Sequence, residues 1–137
     1  MNYAARIMCM CAGCNKEPFP PNLVASIAGR IGPDPRAISP VHHVRPGLPP
    51  AIVFFGNADP LLAGGEQFCS EMKKHGNRCE LVTYEGQPHG FFNFGRSGNQ
   101  YFLDTLKKTD GFLVSLGYLQ GEATVETFNW KGTGQER

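Results

Sequence analysis

Apolar positions along this chain alternate between two short runs and two longer periodic stretches. Ala51-Ile52-Val53-Phe54-Phe55 is uninterrupted, bounded by Pro49-Pro50 before it and Gly56 after it. Such a run predicts a strand buried on both faces, as in parallel sheets. Arg78 to Tyr84 alternates Cys79, Leu81 and Thr83 against Glu80, Val82 and Tyr84, which predicts a second strand. Between them, Leu61 to His75 reads as helix, with Phe68 and Met72 four apart and Cys69 beside them. Lys73, Lys74 and His75 followed by Gly76 form a stop signal, cations near the helix C-terminus and then glycine. Gly64 and Gly65 weaken the first turn and favour a start near Glu66. A second helix is predicted from about Asn99 to Leu116, where Phe102, Leu106, Thr109, Leu113 and Leu116 share one face. Ser97 and Asn99 are candidate N-caps and Gly117 a candidate stop.

Strands alternating with amphipathic helices predict βαβ units and an α/β fold with a parallel sheet. Sites in such sheets lie off the carboxyl ends of the strands. Two chemistry-bearing residues fall there. Asp59 follows the first strand in Gly56-Asn57-Ala58-Asp59-Pro60, and His89 follows the second in Tyr84-Glu85-Gly86-Gln87-Pro88-His89-Gly90-Phe91-Phe92. Proline and glycine bend the backbone around His89, and the aromatics after it offer a wall against water. Right-handed crossover makes the two strands neighbours or near-neighbours, so the two side chains can meet. An aspartate bonded to one imidazole nitrogen fixes the tautomer and leaves the other nitrogen to deprotonate a nucleophile.

Composition narrows the partners. The 137 residues are 41% hydrophobic and 18% charged, with net charge +1. That is one ordinary domain in size, with no basic run interleaved with aromatics to take nucleic acid. The longest apolar runs fall far short of the roughly 20 residues that span a bilayer. Five cysteines, Cys9, Cys11, Cys14, Cys69 and Cys79, are odd in number and unevenly spread. They do not read as a disulfide framework, and Cys69 and Cys79 are expected to be small buried hydrophobes. A reducing compartment, with a cytoplasmic location, is the default expectation in the absence of a convincing signal peptide. The C-x-C-x-x-C cluster of Cys9, Cys11 and Cys14, with His42 or His43 as a fourth ligand, is a possible soft-metal site, but it lacks the paired C-x-x-C elements usual for thiolate centres. No metal is therefore expected. Otherwise His42, His43 and His75 read as solvated or helix-terminal.

Ile38-Ser39-Pro40, the stretch from Pro49 to Asp59, and the stretch from Tyr84 to Asn93 together resemble the C-terminal portion of α/β-hydrolase esterases. The nearest group is the acetylesterase/lipase-like one related to prolyl oligopeptidase catalytic domains. The resemblance covers roughly residues 31–120. It implies a hydrolase portion over 31–120, flanked by an irregular, proline-containing N-terminal segment over 1–30 and a polar, glycine-containing tail over 121–137. It also implies that Asp59 is the triad acid and His89 the triad base, in the order Ser…Asp…His. Family members of this kind hydrolyse carboxylic esters of small molecules or carbohydrates and need no cofactor.

One member of the triad has no counterpart. The family's nucleophile sits in a G-x-S-x-G elbow, and none of Ser26, Ser39, Ser70, Ser97 and Ser115 has that setting. Gly95-Arg96-Ser97-Gly98 comes nearest, but its second glycine is one place early and it follows His89. Glu85 is a rival acid that lies too close to His89 in sequence to fit the pattern. The expectation is thus an esterase-like chain with acid and base but no nucleophile, inactive or feeble by itself. The alternative is a non-catalytic, truncated hydrolase-like protein that associates with itself or a partner through an exposed sheet edge.

Overall fold

The structure is a computed structural model and describes residues 35–125. These fall into two compact units, the first ending at His89 and the second beginning at Gly90. The cysteine cluster at Cys9 to Cys14 lies outside the described residues, as does the tail beyond residue 125.

In the first unit, two short 3-10 turns (Pro35–Ile38 and Pro40–His43) lead into strand β1 (Ala51–Gly56), helix α1 (Leu62–Lys74) and strand β2 (Cys79–Tyr84). The strands pair in parallel from Ala51↔Cys79 to Gly56↔Tyr84. The expected βαβ unit is therefore present, and the α/β class with it. Alternation along the strands sends Ala51, Val53, Cys79 and Leu81 toward a core built on Cys69 and Met72 of α1, with Phe68, Val44 and Leu48 packed around it. Met72 is the most buried hydrophobe, at 1% exposure. Its removal from water is worth roughly 2 kcal/mol.

Three expectations need correction. First, β1 is not buried on both faces, since Ala51 to Phe55 are only half-buried. Among the described residues the sheet has two strands, so each keeps one edge unpaired. Second, α1 begins at Leu62, four residues ahead of Glu66. Gly65 is not a weak spot to be avoided, because α1 crosses Phe55 there. A Cβ at Gly65 would stand 2.2 Å from the Phe55 ring, so only glycine lets helix and strand approach this closely. Third, Cys69 and Cys79 are buried as expected, each 3% exposed, but they are joined in a disulfide with Cα atoms 5.2 Å apart. The bond ties α1 to the first residue of β2. It also removes the free-thiol argument for a reducing compartment.

The stop signal of α1 works as expected. Gly76 N–H donates to Lys73 O and Asn77 N–H to Met72 O, which closes the helix end. Asn77 then does a second job. Its buried side chain donates to Arg45 O at 2.8 Å and accepts from Leu48 N–H at 3.0 Å, holding the incoming loop against the core. Asn77→Ala would leave both backbone groups without a partner in a half-buried setting. We expect a loss of about 2 kcal/mol, read by urea denaturation. A loss below about 0.5 kcal/mol would mean that water replaces the amide without cost.

The second unit contains a 3-10 turn (Ser97–Asn99) and helix α2 (Gln100–Ser115). Neither candidate cap bonds the helix through its side chain. Ser97 lies in the turn, and Asn99 takes a left-handed conformation with Oδ1 accepting from Gly95 N–H at 2.5 Å. The predicted face is half-buried, and the deepest residues are its neighbours Thr105 and Phe112. Thr105 is tolerated there because its hydroxyl donates to the carbonyls of Tyr101 and Phe102 one turn back. Gly117 ends the helix as expected, donating to Val114 O while Tyr118 N–H reaches Leu113 O. Phe91 is buried between the edges of Phe92 and Tyr101.

Candidate active site

Both site residues sit just past the carboxyl ends of their strands. Asp59 is fixed by the turn that starts α1. Its N–H donates to Gly56 O, its carbonyl accepts from Leu62 N–H, and its Oδ1 accepts from Leu61 N–H at 2.9 Å. One carboxylate oxygen is thus committed to the backbone, which sets the plane of the group. The other oxygen, Oδ2, lies 2.9 Å from His89 Nδ1. Asp59 and His89, thirty residues apart, meet.

An ionised carboxylate only accepts hydrogen bonds, so the proton in this contact belongs to Nδ1. In the neutral ring that leaves Nε2, on the far side, without a proton. The pair is unequal in its surroundings. The Asp59 side chain is 4% exposed and the His89 ring 68%. A buried, doubly bonded carboxylate orienting an open imidazole presents Nε2 to whatever approaches. The imidazole, expected to be walled off from water, is instead mostly open.

The loops that carry the two residues are laced together. Asn57 N–H donates to Tyr84 O at 3.0 Å and Ala58 N–H to Gln87 O at 3.1 Å, continuing the strand pairing past its end. The Asn57 side chain donates to Glu85 Oε2 and accepts from Gly86 N–H, each at 2.6 Å. Gly56 permits the contact, since a Cβ there would fall 1.8 Å from Gln87 O. Glu85 is therefore a partner of Asn57 and is not bonded to His89. Asn57 and Gly56 escaped the sequence reading. The available signal was a glycine-asparagine pair at the end of an apolar run, which reads equally well as ordinary turn chemistry.

No serine hydroxyl is bonded to His89 among the described residues. Ser39 is fully buried with an unpartnered Oγ, and the Ser115 hydroxyl donates to Phe112 O within its own helix. Nor do the described residues contain a group of three or more His, Cys, Asp or Glu side chains able to hold a metal. His43 Nε2 lies 2.9 Å from Ala37 O and 3.1 Å from Arg36 O, so it donates to the preceding turn. Among the same residues no helix is long and apolar enough to cross a membrane.

A parallel βαβ unit with an aspartate and a histidine joined off its strand ends has the architecture of an α/β hydrolase. Comparison with known proteins agrees. A family model of the alpha/beta hydrolase fold matches residues 23–93, just over half of the chain. The chain belongs to the α/β-hydrolase fold family. It is also similar to solved structures of esterase 2 from Thermogutta terrifontis. With the paraoxon-phosphorylated form it shares 50% identity over 66% of this chain and 36% of the esterase, at a TM-score of 0.63. With the apo form it shares 44% over 81% of this chain and 39% of the esterase, at 0.67. The butyrate-bound form gives 43% over 82% and 41%, at 0.66. The chain thus spans well under half the length of the esterase it matches. No curated protein matches the sequence.

Proposed function

We propose that Asp59 and His89 are the acid and base of a serine-hydrolase triad that cleaves carboxylic esters. The Nδ1–Oδ2 contact of 2.9 Å carries this reading. In the reaction His89 Nε2 takes the proton of a serine hydroxyl as that oxygen attacks the ester carbonyl. Asp59 stabilises the imidazolium so formed and keeps the ring in register. The imidazolium then protonates the departing alcohol, and the acyl group is left on the serine. In the second half, Nε2 takes a proton from water as the water oxygen attacks the acyl carbonyl. The imidazolium then returns that proton to the serine oxygen as the acid leaves.

The nucleophile for these steps lies outside the 137 residues, which hold no G-x-S-x-G. Among the described residues an acid and a base are paired, with no serine hydroxyl bonded to the base. The substrate class is small-molecule or carbohydrate esters; the butyrate-bound esterase supports the small-molecule part of that class. Residues 31–120 are the hydrolase portion in this reading, with 1–30 and 121–137 flanking it.

A chimera tests the proposal. Residues 35–125 replace the corresponding region of Thermogutta terrifontis esterase 2, which retains its own nucleophile. The chimera should hydrolyse p-nitrophenyl butyrate and be labelled by paraoxon. Loss of His89 should abolish both. A folded chimera whose turnover survives that loss would end the proposal.

A further inference from the structure

We infer that Asn57 is a positioning residue for the acid–base pair, setting the His89 loop against the Asp59 loop. The inference rests on the proposed roles of Asp59 and His89. Its basis is the place of the Asn57 side chain between the two loops. The first loop begins at Asn57, and Asp59 follows two residues later. The second begins after Tyr84 with a turn over Glu85 and Gly86, in which Gly86 has φ +66°. Gln87 N–H is 3.4 Å from Tyr84 O across this turn, a long contact that leaves it loosely closed.

The Asn57 carboxamide grips that turn from outside. Oδ1 takes the Gly86 N–H and Nδ2 holds the Glu85 carboxylate, so one planar group fixes the turn at two points. From Gly86 the path to His89 is short and stiff, through Gln87 and Pro88, whose ring fixes φ. A shift of the turn is therefore carried to the imidazole almost undiminished. A contact of 2.9 Å tolerates little of it. Catalytic groups need placing within about 0.5 Å, and a 1 Å error costs about a hundredfold in rate.

The side chain required at this position is specific. Alanine leaves the Gly86 N–H to solvent. Aspartate keeps that acceptor but sets a like charge against Glu85. Pairing Asn57→Asp with Glu85→Gln restores the bridge with donor and acceptor exchanged, because the new glutamine amide donates to the new carboxylate. A bridge that acts by holding the turn should survive this reversal.

The test reads His89 directly by long-range 1H–15N correlation on the 15N-histidine-labelled protein, at a pH where the ring is neutral. His42, His43 and His75 are assigned by single His→Gln variants. The wild type should show a protonated Nδ1 and an unprotonated Nε2 with widely split nitrogen shifts. Asn57→Ala should lose most of that split, whereas Asp59→Asn should invert it, with Nε2 protonated and Nδ1 not. The Asn57→Asp/Glu85→Gln pair should recover it. An unchanged split in folded Asn57→Ala overturns the inference, and so does a collapsed split in the folded exchange pair. If circular dichroism shows Asn57→Ala unfolded, the exchange pair decides. Unfolding of both would make Asn57 a purely structural residue. If Asp59→Asn leaves Nδ1 protonated and Nε2 bare as in the wild type, the acid–base reading itself fails, whatever Asn57 does.

Discussion

In the chimera with Thermogutta terrifontis esterase 2, His89→Ala should lower kcat for p-nitrophenyl butyrate by about 10⁶-fold with little change in KM. Loss of the histidine alone from a serine triad costs about as much as loss of the whole triad. Asp59→Asn should cost less, about 10⁴-fold, since the ring stays in place but its preferred tautomer is wrong. The asparagine amide would turn its N–H toward Nδ1 and force the proton onto Nε2, the atom that must accept one. Asp59 also holds the Leu61 N–H, so its variant needs a folding control. The asparagine Oδ1 can keep that bond while its Nδ2 faces the ring. Asp59→Ala would remove both and unsettle the start of α1. The order of effects is the sharper check. His89→Ala and the double variant with Asp59→Asn should be equally inactive, because groups acting as one unit do not add. Additive losses would mean that Asp59 and His89 act separately, and the triad assignment would fall.

Much of this site was legible from local patterns. An unbroken apolar run, an alternating run and the helix between them give two parallel strands, and that topology puts the following loops side by side. Asp59 and His89 need no further information to be paired. What escaped depends on contacts between segments far apart in sequence. Gly65 looks like a helix breaker until Phe55 is found beneath it. Asn57 looks like a turn residue until Glu85 and Gly86 are found within its reach. Burial of β1 falls short of the expectation because an apolar run records what a strand is suited to meet, and among the described residues only β2 pairs with β1. The disulfide was hidden by arithmetic. Three further cysteines near the N-terminus make the total odd, and a ten-residue separation matches no motif. Only the reversal of the chain at Gly76 and Asn77 brings Cys69 over Cys79.

Breaking that disulfide should lower stability by about 3 kcal/mol and leave the acid–base pair intact. Closing a loop of this length removes nearly that much unfolded-state freedom. Cys69→Ala/Cys79→Ala should therefore melt roughly 10 °C below the wild type by calorimetry. Dithiothreitol on the wild type should give a smaller drop, because reduction leaves both sulfur atoms in the core beside Met72. The alanines also open a space there. Alkylation under denaturing, non-reducing conditions followed by peptide mass spectrometry must first find Cys69 and Cys79 unlabelled. If both are labelled, the bond is absent in solution and the stability prediction goes with it. The second half of the expectation follows from distance along β2. Cys79 opens the strand and Tyr84 ends it, five steps away, so the crosslink and the His89 loop lie about 17 Å apart at 3.3 Å per step. Local loosening at one end need not reach the other, where the Asn57 bridge and the Ala58–Gln87 bond hold the loops. Well below its melting temperature, the alanine variant should keep the wild-type nitrogen split at His89. Loss of that split in a folded variant would show that the core bond also registers the site, through α1, which starts three residues after Asp59.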